Sequence, residues 1–171
     1  MIQINKYFFI PLIYIGVCHA SADISSEIDL KKLVQCVNNG NNSCLEKIPH
    51  NTKRLNFEQS IILRNALVHS LIKSPSATID VLNSIDKETA RTGHSFIRDN
   101  YGTDIVCAYM INSNKYDRES FFKYYSIVKN KLEKTGGKGK TCLDIMKSSV
   151  EETVYEEKRG EMKWGKEKYP F

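Results

Sequence analysis

Apolar residues recur at three- and four-residue steps along most of the chain, the spacing that places side chains on one face of an α-helix. The pattern predicts helices at residues 28–37, 57–72, 75–85, 96–111, 118–132 and 142–154. The second of these segments is apolar on more than one face, which is typical of a central, buried helix. We therefore expect an all-α fold, a compact bundle or a short stack of roughly five to six helices.

Residues with capping side chains mark where several of these helices begin. Asn56 and Gln59 form a capping-box pattern, in which each side chain bonds the backbone N–H of the other residue. Asp117 stands just before the fifth segment, where its carboxylate can cap the first turn. Thr141 and Asp144 repeat the capping-box spacing and predict the start of the last helix.

Proline and glycine mark where helices end. Ser74-Pro75 predicts the end of one helix and the start of the next, since proline suits the first helical position. Gly102 is a point at which the fourth segment is expected to break or bend. Gly136-Gly137 is expected to end the fifth segment, because glycine is favoured just after a helix.

The start of the chain differs from the rest of it. Lys6 is followed by an apolar run at residues 7–17, and small residues follow around Ala20 and Ala22. This order is typical of a secretory signal peptide. We predict that residues 1–22 form one, cleaved after Ala22 or alternatively after Ala20.

Two alternatives to a cleaved leader remain open. The apolar run could stay as an anchor helix, although it is short for a bilayer, and Cys18 could carry a lipid, although Val17 precedes it where a smaller residue is usual. With the leader removed, we expect residues 23–160 to form a single helical domain and residues 161–171 a flexible polar and aromatic tail. No second apolar run follows in the sequence, so stable membrane insertion is not expected.

Charge limits the partners that this domain is expected to meet. The full chain has 25 Lys and Arg against 20 Asp and Glu, a formal net charge of +5. An exported protein does not meet the chromosome, so we expect a protein partner, acidic or associated with the cell wall, rather than nucleic acid. The periplasm is the expected location, with the extracellular space as the alternative.

The cysteines predict two disulfides. One of the five lies in the leader, and an even number in an exported chain is typical of a disulfide framework. Among the pairings we choose Cys36–Cys44, which closes a turn rich in Asn and Gly, and Cys107–Cys142, which joins the apolar faces of two helices. Zinc is the rival interpretation, but the sequence lacks the closely spaced cysteine pairs of zinc sites.

No residue pattern predicts catalysis. The glycine-rich stretch at residues 136–141 lacks the first glycine of a phosphate loop, because Lys134 stands at that position. His69 lies in the most apolar helix, where a structural histidine is more common than a catalytic one. We predict no catalytic residues, no metal ligands and no cofactor, and hence a non-enzymatic binding protein of the bacterial envelope. The alternatives are a small-ligand carrier, an envelope enzyme with an unrecognised site and a secreted host-interaction protein.

An aromatic and basic stretch provides a hypothesis for the partner surface. Tyrosine and basic residues are enriched at binding surfaces because they combine apolar area with a polar tip. The alternative is that the aromatic residues fill the core while the lysines are simply solvated. The predicted surface consists of Tyr124, Lys131, Lys134, Lys138 and Lys140.

The sequence from Gly137 to Ser148, which follows the aromatic-rich fifth segment, carries a family resemblance. Together with its flanks, about residues 107–150, it resembles the C-terminal part of small Gram-negative periplasmic immunity proteins that neutralise type VI secretion amidases. The resemblance implies a helical, exported, disulfide-bonded protein, often a homodimer, that blocks a toxin by inserting a surface element into its cleft. It also makes an inhibitor or immunity protein against a cell-wall-cleaving effector the expected function.

Overall fold

The fold is described from a computed structural model, which covers residues 27–51, 55–93, 96–111 and 114–171. The predicted signal peptide, residues 1–22, lies outside these ranges. Within them the secondary structure is helical, so the predicted all-α class is confirmed. The elements are α1 (Glu27–Asn38), α2 (Asn42–Leu45), α3 (Ile48–Asn51), α4 (Phe57–Lys73), α5 (Pro75–Thr92), α6 (Phe96–Tyr101), α7 (Thr103–Tyr109), α8 (Arg118–Glu133), a 3-10 turn (Gly136–Gly139) and α9 (Lys140–Lys158).

Most of the predicted helix boundaries are confirmed by their capping bonds. The Asn56 side chain accepts from the backbone N–H of Gln59 at 2.9 Å, and the Gln59 side chain accepts from that of Asn56 at 3.0 Å. Asp117 caps α8 by accepting from the backbone N–H of Ser120. Gly102 separates α6 from α7, as expected for the weak point of that segment.

The predicted capping box at Thr141 and Asp144 is wrong. Helix α9 begins one residue earlier, at Lys140, and leads directly out of the 3-10 turn. The carboxylate of Asp144 accepts a hydrogen bond from the Lys140 ammonium at 2.7 Å instead of capping the backbone. A continuous helical turn in front of α9 thus replaces the extended residue that a side-chain cap requires.

Helix α4 is the central element of the core, as its apolar pattern predicts. It packs against α1, α5, α6, α7 and α8. Leu63, Leu67 and Leu71 are fully buried on one side of the helix, and Ala66 and Val68 are buried beside them. Burial on several faces explains why the apolar positions of α4 do not follow a single stripe. None of the helices in the described ranges is long and apolar enough to cross a membrane.

Both predicted disulfides are present. Cys36–Cys44 joins the end of α1 to α2, and Cys107–Cys142 joins α7 to α9. Disulfides persist in oxidising compartments such as the periplasm and the extracellular space. The pairings are therefore consistent with an exported protein.

The prediction of a flexible tail at residues 161–171 is wrong, because this segment folds back onto the domain. We call residues 161–171 the strap. Its backbone runs parallel to the segment before α8: Gly165 N donates to Tyr116 O at 3.1 Å, and Glu167 N donates to Lys115 O at 3.1 Å. Two of its three large aromatic side chains, Trp164 and Tyr169, pack against the hydrophobic core. The strap therefore belongs to the folded domain.

Candidate functional site

The predicted partner surface loses its aromatic member in the structure. Tyr124 is completely buried, and its hydroxyl donates to the backbone carbonyl of Val68 at 2.7 Å. Burial raises the pKa of Tyr124 well above its ordinary value of 10.0. The placement of Tyr124 on an exposed surface is therefore wrong, because it shares the apolar stripe of α8 with Phe121 and Val128 and enters the core with them.

The four predicted lysines reach the surface, but they turn towards different elements. Lys131 donates to the carbonyl of Ile72 at the end of α4. Lys138 pairs with Asp80 of α5 at 2.8 Å, and Lys140 pairs with Asp144 of α9 at 2.7 Å. Exposed pairs of this kind contribute about 0 to 1 kcal/mol, so a partner could replace them at low cost. Lys134 is exposed as well. The role of these four lysines in binding a partner stays a prediction.

A groove that the sequence did not predict lies between the end of α1, α4 and the strap. We call it the α1/α4 groove; it has a volume of about 500 Å³ and is open to solvent. Helix α4 forms its floor, and the end of α1 forms one wall. Residues 109–111, 115–116 and 169–170 form the opposite wall. The lining residues are Val34, Asn38, Asn39, Ile62, Asn65, Ala66, Val68, His69, Tyr109, Met110, Ile111, Lys115, Tyr116, Tyr169 and Pro170.

The floor of the groove presents a mixed apolar and polar face of α4. Ile62, Asn65 and His69 line it at three- and four-residue steps, the spacing that aligns side chains along a helix. Ile62 is 48% exposed, which is unusual for so large an apolar side chain in an otherwise buried helix. The floor therefore combines apolar area with an amide and an imidazole.

The wall formed by α1 is held in place by a disulfide and a close backbone contact. Asn38 and Asn39 lie inside the loop that Cys36–Cys44 closes. Gly40 follows with a φ of +68°, and a Cβ there would meet side-chain atoms of Lys73 and Ser74 at about 2.8 Å. Only glycine allows the turn to approach the end of α4 this closely.

The opposite wall begins directly after the second disulfide. Cys107 is bonded to α9, and Met110 follows it at the end of α7 with a φ of 41°. A left-handed conformation is strained for a residue other than glycine, and such strain persists only where surrounding contacts enforce it. The side chain of Met110 is buried, and the Arg64 guanidinium lies 5.2 Å from the ring centre of Tyr109. This wall is therefore fixed by packing as well as by the disulfide.

The strap closes one end of the groove with Tyr169. Its hydroxyl lies 2.7 Å from Nδ1 of His69, and its ring packs edge-on against Tyr116 at a centroid distance of 5.0 Å. Burial raises the pKa of Tyr169 above its ordinary value, so the phenol keeps its proton. Lys168, next to it, bonds Asp117 and Glu119 at 2.6 Å each and anchors the strap to the start of α8.

Trp164 anchors the strap at its other end. Its indole N–H donates to Glu157 of α9 at 2.9 Å, and its ring packs against Phe121 at a centroid distance of 5.3 Å. Gly165 then passes the backbone of Lys115 so closely that a Cβ would collide with the carbonyl group of that residue. The sequence signal for the docking of the strap is a pair of isolated aromatic residues, Trp164 and Tyr169, in a polar segment that also contains Gly165.

His69 is half-buried in the groove, where Tyr169 is its hydrogen-bond partner. Partial burial, with the nearby charge of Lys73, lowers its pKa below 6.5, so the ring is neutral at pH 7. Its recorded partner is a tyrosine, whereas a catalytic base is commonly oriented by a carboxylate. The residues that line the groove include no Asp or Glu, and the described parts of the chain hold no cluster of His, Cys, Asp and Glu suited to a metal ion.

Comparisons with known proteins identify no relative of this chain. No family model, curated protein or solved structure matches the chain. The function is therefore inferred from the groove and the disulfides.

Proposed function

We propose that the protein is an exported, non-enzymatic binding protein of the bacterial envelope, located in the periplasm. Its proposed role is that of an inhibitor or immunity protein against a cell-wall-cleaving effector. The observation that carries this proposal is the open α1/α4 groove, whose two walls each lie beside a disulfide.

The position of the disulfides supports a binding role because it fixes the groove before a partner arrives. Cys36–Cys44 encloses the asparagines of one wall, and Cys107–Cys142 holds the helix that leads into the other. Ordering of loops and side chains is a main cost of association, and a surface that is already rigid avoids part of it. Tight inhibition favours such a surface.

The lining of the groove has the composition of a protein-recognition surface. It presents three asparagines and three tyrosines beside apolar area from Ile62 and Met110. Tyrosine supplies contact area at low entropic cost, while asparagine supplies adaptable hydrogen bonds. A small-ligand carrier would enclose most of its ligand, whereas this groove is open to solvent and suits a segment that projects from a larger partner.

Inhibition of peptidoglycan hydrolysis tests this function. The oxidised protein is mixed with a cell-wall-cleaving effector encoded beside its gene, and the turbidity of purified peptidoglycan sacculi is followed. We expect inhibition that reaches completion near a one-to-one molar ratio, together with a complex on gel filtration. Full hydrolysis at a tenfold excess of the protein, with no complex, would refute the proposal.

A matched pair of variants assigns the inhibition to the groove. Asn65→Glu places a carboxylate on the exposed floor of the groove, and Asn130→Glu makes the same change on the exposed surface of α8. Glutamate is a good helix former, so both variants should fold. We expect Asn65→Glu to abolish inhibition and Asn130→Glu to retain it.

A further inference from the structure

We propose that the α1/α4 groove binds an acidic peptide segment of the partner protein, with Lys115 and the Nε2–H group of His69 as the groups that receive its carboxylate. This inference rests on the proposed function, because it specifies which part of a partner the groove accepts. It follows from the direction of the hydrogen bonds in the groove and from the charges that line it.

The bond between Tyr169 and His69 sets the tautomer of the histidine. The phenol of Tyr169 keeps its proton, and its hydrogen-bond partner among the described contacts is Nδ1 of His69 at 2.7 Å, so we assign the phenol as the donor. When Nδ1 accepts that proton, the neutral imidazole must carry its own hydrogen on Nε2. His69 then offers a donor from the floor of the groove. Tyr169 acts here as a positioning residue.

Lys115 is the one cationic side chain among the described residues that line the groove, and these include no carboxylate. Its ammonium lies 3.6 Å from Glu167 of the strap and 5.2 Å from the ring centre of Tyr116. Both partners of the ion pair are well exposed, so the pair is weak and the carboxylate of a ligand can take the place of Glu167.

Three asparagine side chains provide further hydrogen-bond donors along the groove. Asn38, Asn39 and Asn65 have NH₂ groups that can donate to the backbone carbonyls of a bound segment, and Ile62 offers it an apolar contact. From Ile62 to His69 the helix axis advances about 10 Å at 1.5 Å per residue. An extended segment of about three residues covers that distance.

Nuclear magnetic resonance on the full, oxidised chain tests the ligand chemistry with defined peptides. The acidic probe is acetyl-Leu-Glu-Tyr-Asp-amide, and its neutral analogue carries Gln and Asn in place of Glu and Asp. We expect the acidic peptide to shift the backbone resonances of Asn38, Asn65, His69 and Lys115, and to bind about two- to fivefold more tightly than its analogue. Equal affinities, or shifts confined to Lys131–Lys140, would overturn the proposal.

Two lysine variants separate the groove from the basic surface predicted from the sequence. Lys115→Gln removes the charge beside the groove, and Lys134→Gln removes a charge from an exposed position outside it. Lys115→Gln should remove the preference for the acidic peptide, while Lys134→Gln should keep it. The opposite result would assign the carboxylate to the basic surface and reject the groove.

The tautomer of His69 can be measured directly by nuclear magnetic resonance. In the wild type the ¹⁵N shifts of His69 should identify hydrogen on Nε2, and Tyr169→Phe should remove the bond that fixes it. We expect this variant to show a mixture of tautomers and about two- to fivefold weaker binding of the acidic peptide. Hydrogen on Nδ1 in the wild type would contradict the assigned donor.

A cell-wall stem peptide is the last probe, because it also carries carboxylates. Tighter binding of this peptide than of acetyl-Leu-Glu-Tyr-Asp-amide would overturn the choice of a protein segment.

The outcomes of these experiments also separate this inference from the proposed function. The protein could inhibit the effector and yet bind the acidic and neutral peptides equally, with no effect of Lys115→Gln. That result would refute the inference about the acidic segment and leave the proposed function standing. If the acidic peptide binds but the effector is not inhibited, the proposed function fails alone.

Discussion

The hydroxyl of Tyr169 lies 2.7 Å from Nδ1 of His69, although 100 residues of chain separate the two. This bond joins the strap to the central helix of the core. It also places the strap in the wall of the α1/α4 groove. The stability of the strap and the shape of the groove are therefore linked.

Replacement of Gly165 by alanine should detach the strap. The new Cβ would collide with the backbone carbonyl of Lys115, and backbone atoms cannot move aside as a flexible side chain can. Trp164 is the one tryptophan of the chain, so its fluorescence reports on the strap directly. We expect a red-shifted emission with the far-ultraviolet circular dichroism nearly unchanged, and a loss of about 1–3 kcal/mol of stability.

Gly137→Ala is the matched control for that variant. A Cβ at Gly137 has no neighbour within 4 Å, and its φ is not in the left-handed region. Wild-type emission is expected for this control. If Gly165→Ala also shows wild-type emission, the close passage of the strap past Lys115 is not a feature of the protein in solution.

Acid should loosen the strap before it unfolds the domain. The hydrogen bond from Lys168 and the backbone N–H of Ser120 hold the pKa of Asp117 at about 2, below its ordinary value of 3.8. The detached state therefore binds a proton more readily, and the contribution of Asp117 is lost as the pH falls from about 4 towards 2. Asp117 in turn raises the pKa of Lys168 to about 12, so the pair persists up to the alkaline range.

Trp164 emission against pH measures this loss. Asp117→Asn provides the control, because asparagine still caps the helix but does not titrate. The variant should lack the Asp117 step, and any change that remains below pH 4.5 should report Glu157, which accepts from the indole. Superimposable titrations of the variant and the wild type would contradict the assignment to Asp117.

The two disulfides should contribute unequally to stability. They close loops with sequence separations of 35 and 8 residues. The chain-entropy model assigns about 4 kcal/mol to the longer loop and about 2.5 kcal/mol to the shorter one. Denaturant unfolding of Cys107→Ala/Cys142→Ala and of Cys36→Ala/Cys44→Ala measures the difference. A larger loss from the shorter loop would show that native contacts, rather than chain entropy, decide the order.

Neighbouring tyrosines of α8 provide a test of the buried hydrogen bond. Tyr124→Phe removes the donor to Val68 from a fully buried site and should lower the free energy of unfolding by about 1 kcal/mol. Tyr125→Phe changes a half-buried residue with no hydrogen bond among the described contacts, and should stay within about 0.5 kcal/mol of the wild type. Equal effects would contradict the assigned role of Tyr124.

Local sequence patterns were sufficient for the long helices and for several of their boundaries. The capping pair Asn56 and Gln59, the proline after α4 and the glycine between α6 and α7 all act within one or two turns, so their effect can be predicted without the rest of the fold. The disulfides were predictable because the short loop and the two apolar faces favoured one pairing of the cysteines.

The groove and the strap could not be predicted in the same way. Tyr169 packs against residues that lie 45 to 100 positions away, and nothing in its own segment identifies them. The sequence predicts a surface position for Tyr124 because tyrosine combines apolar area with a polar tip that suits a binding surface. In the structure the hydroxyl finds a backbone carbonyl inside the core, which removes the cost of burying it.

The docking of the strap also orders the events of folding. Contacts between distant parts of a chain form late, because closing a long loop costs conformational entropy. The helices around α4 and the Cys107–Cys142 bond can form while residues 161–171 are still free. The groove gains its last wall only when Tyr169 reaches His69, so a newly synthesised molecule should complete the proposed binding surface in the final step of folding.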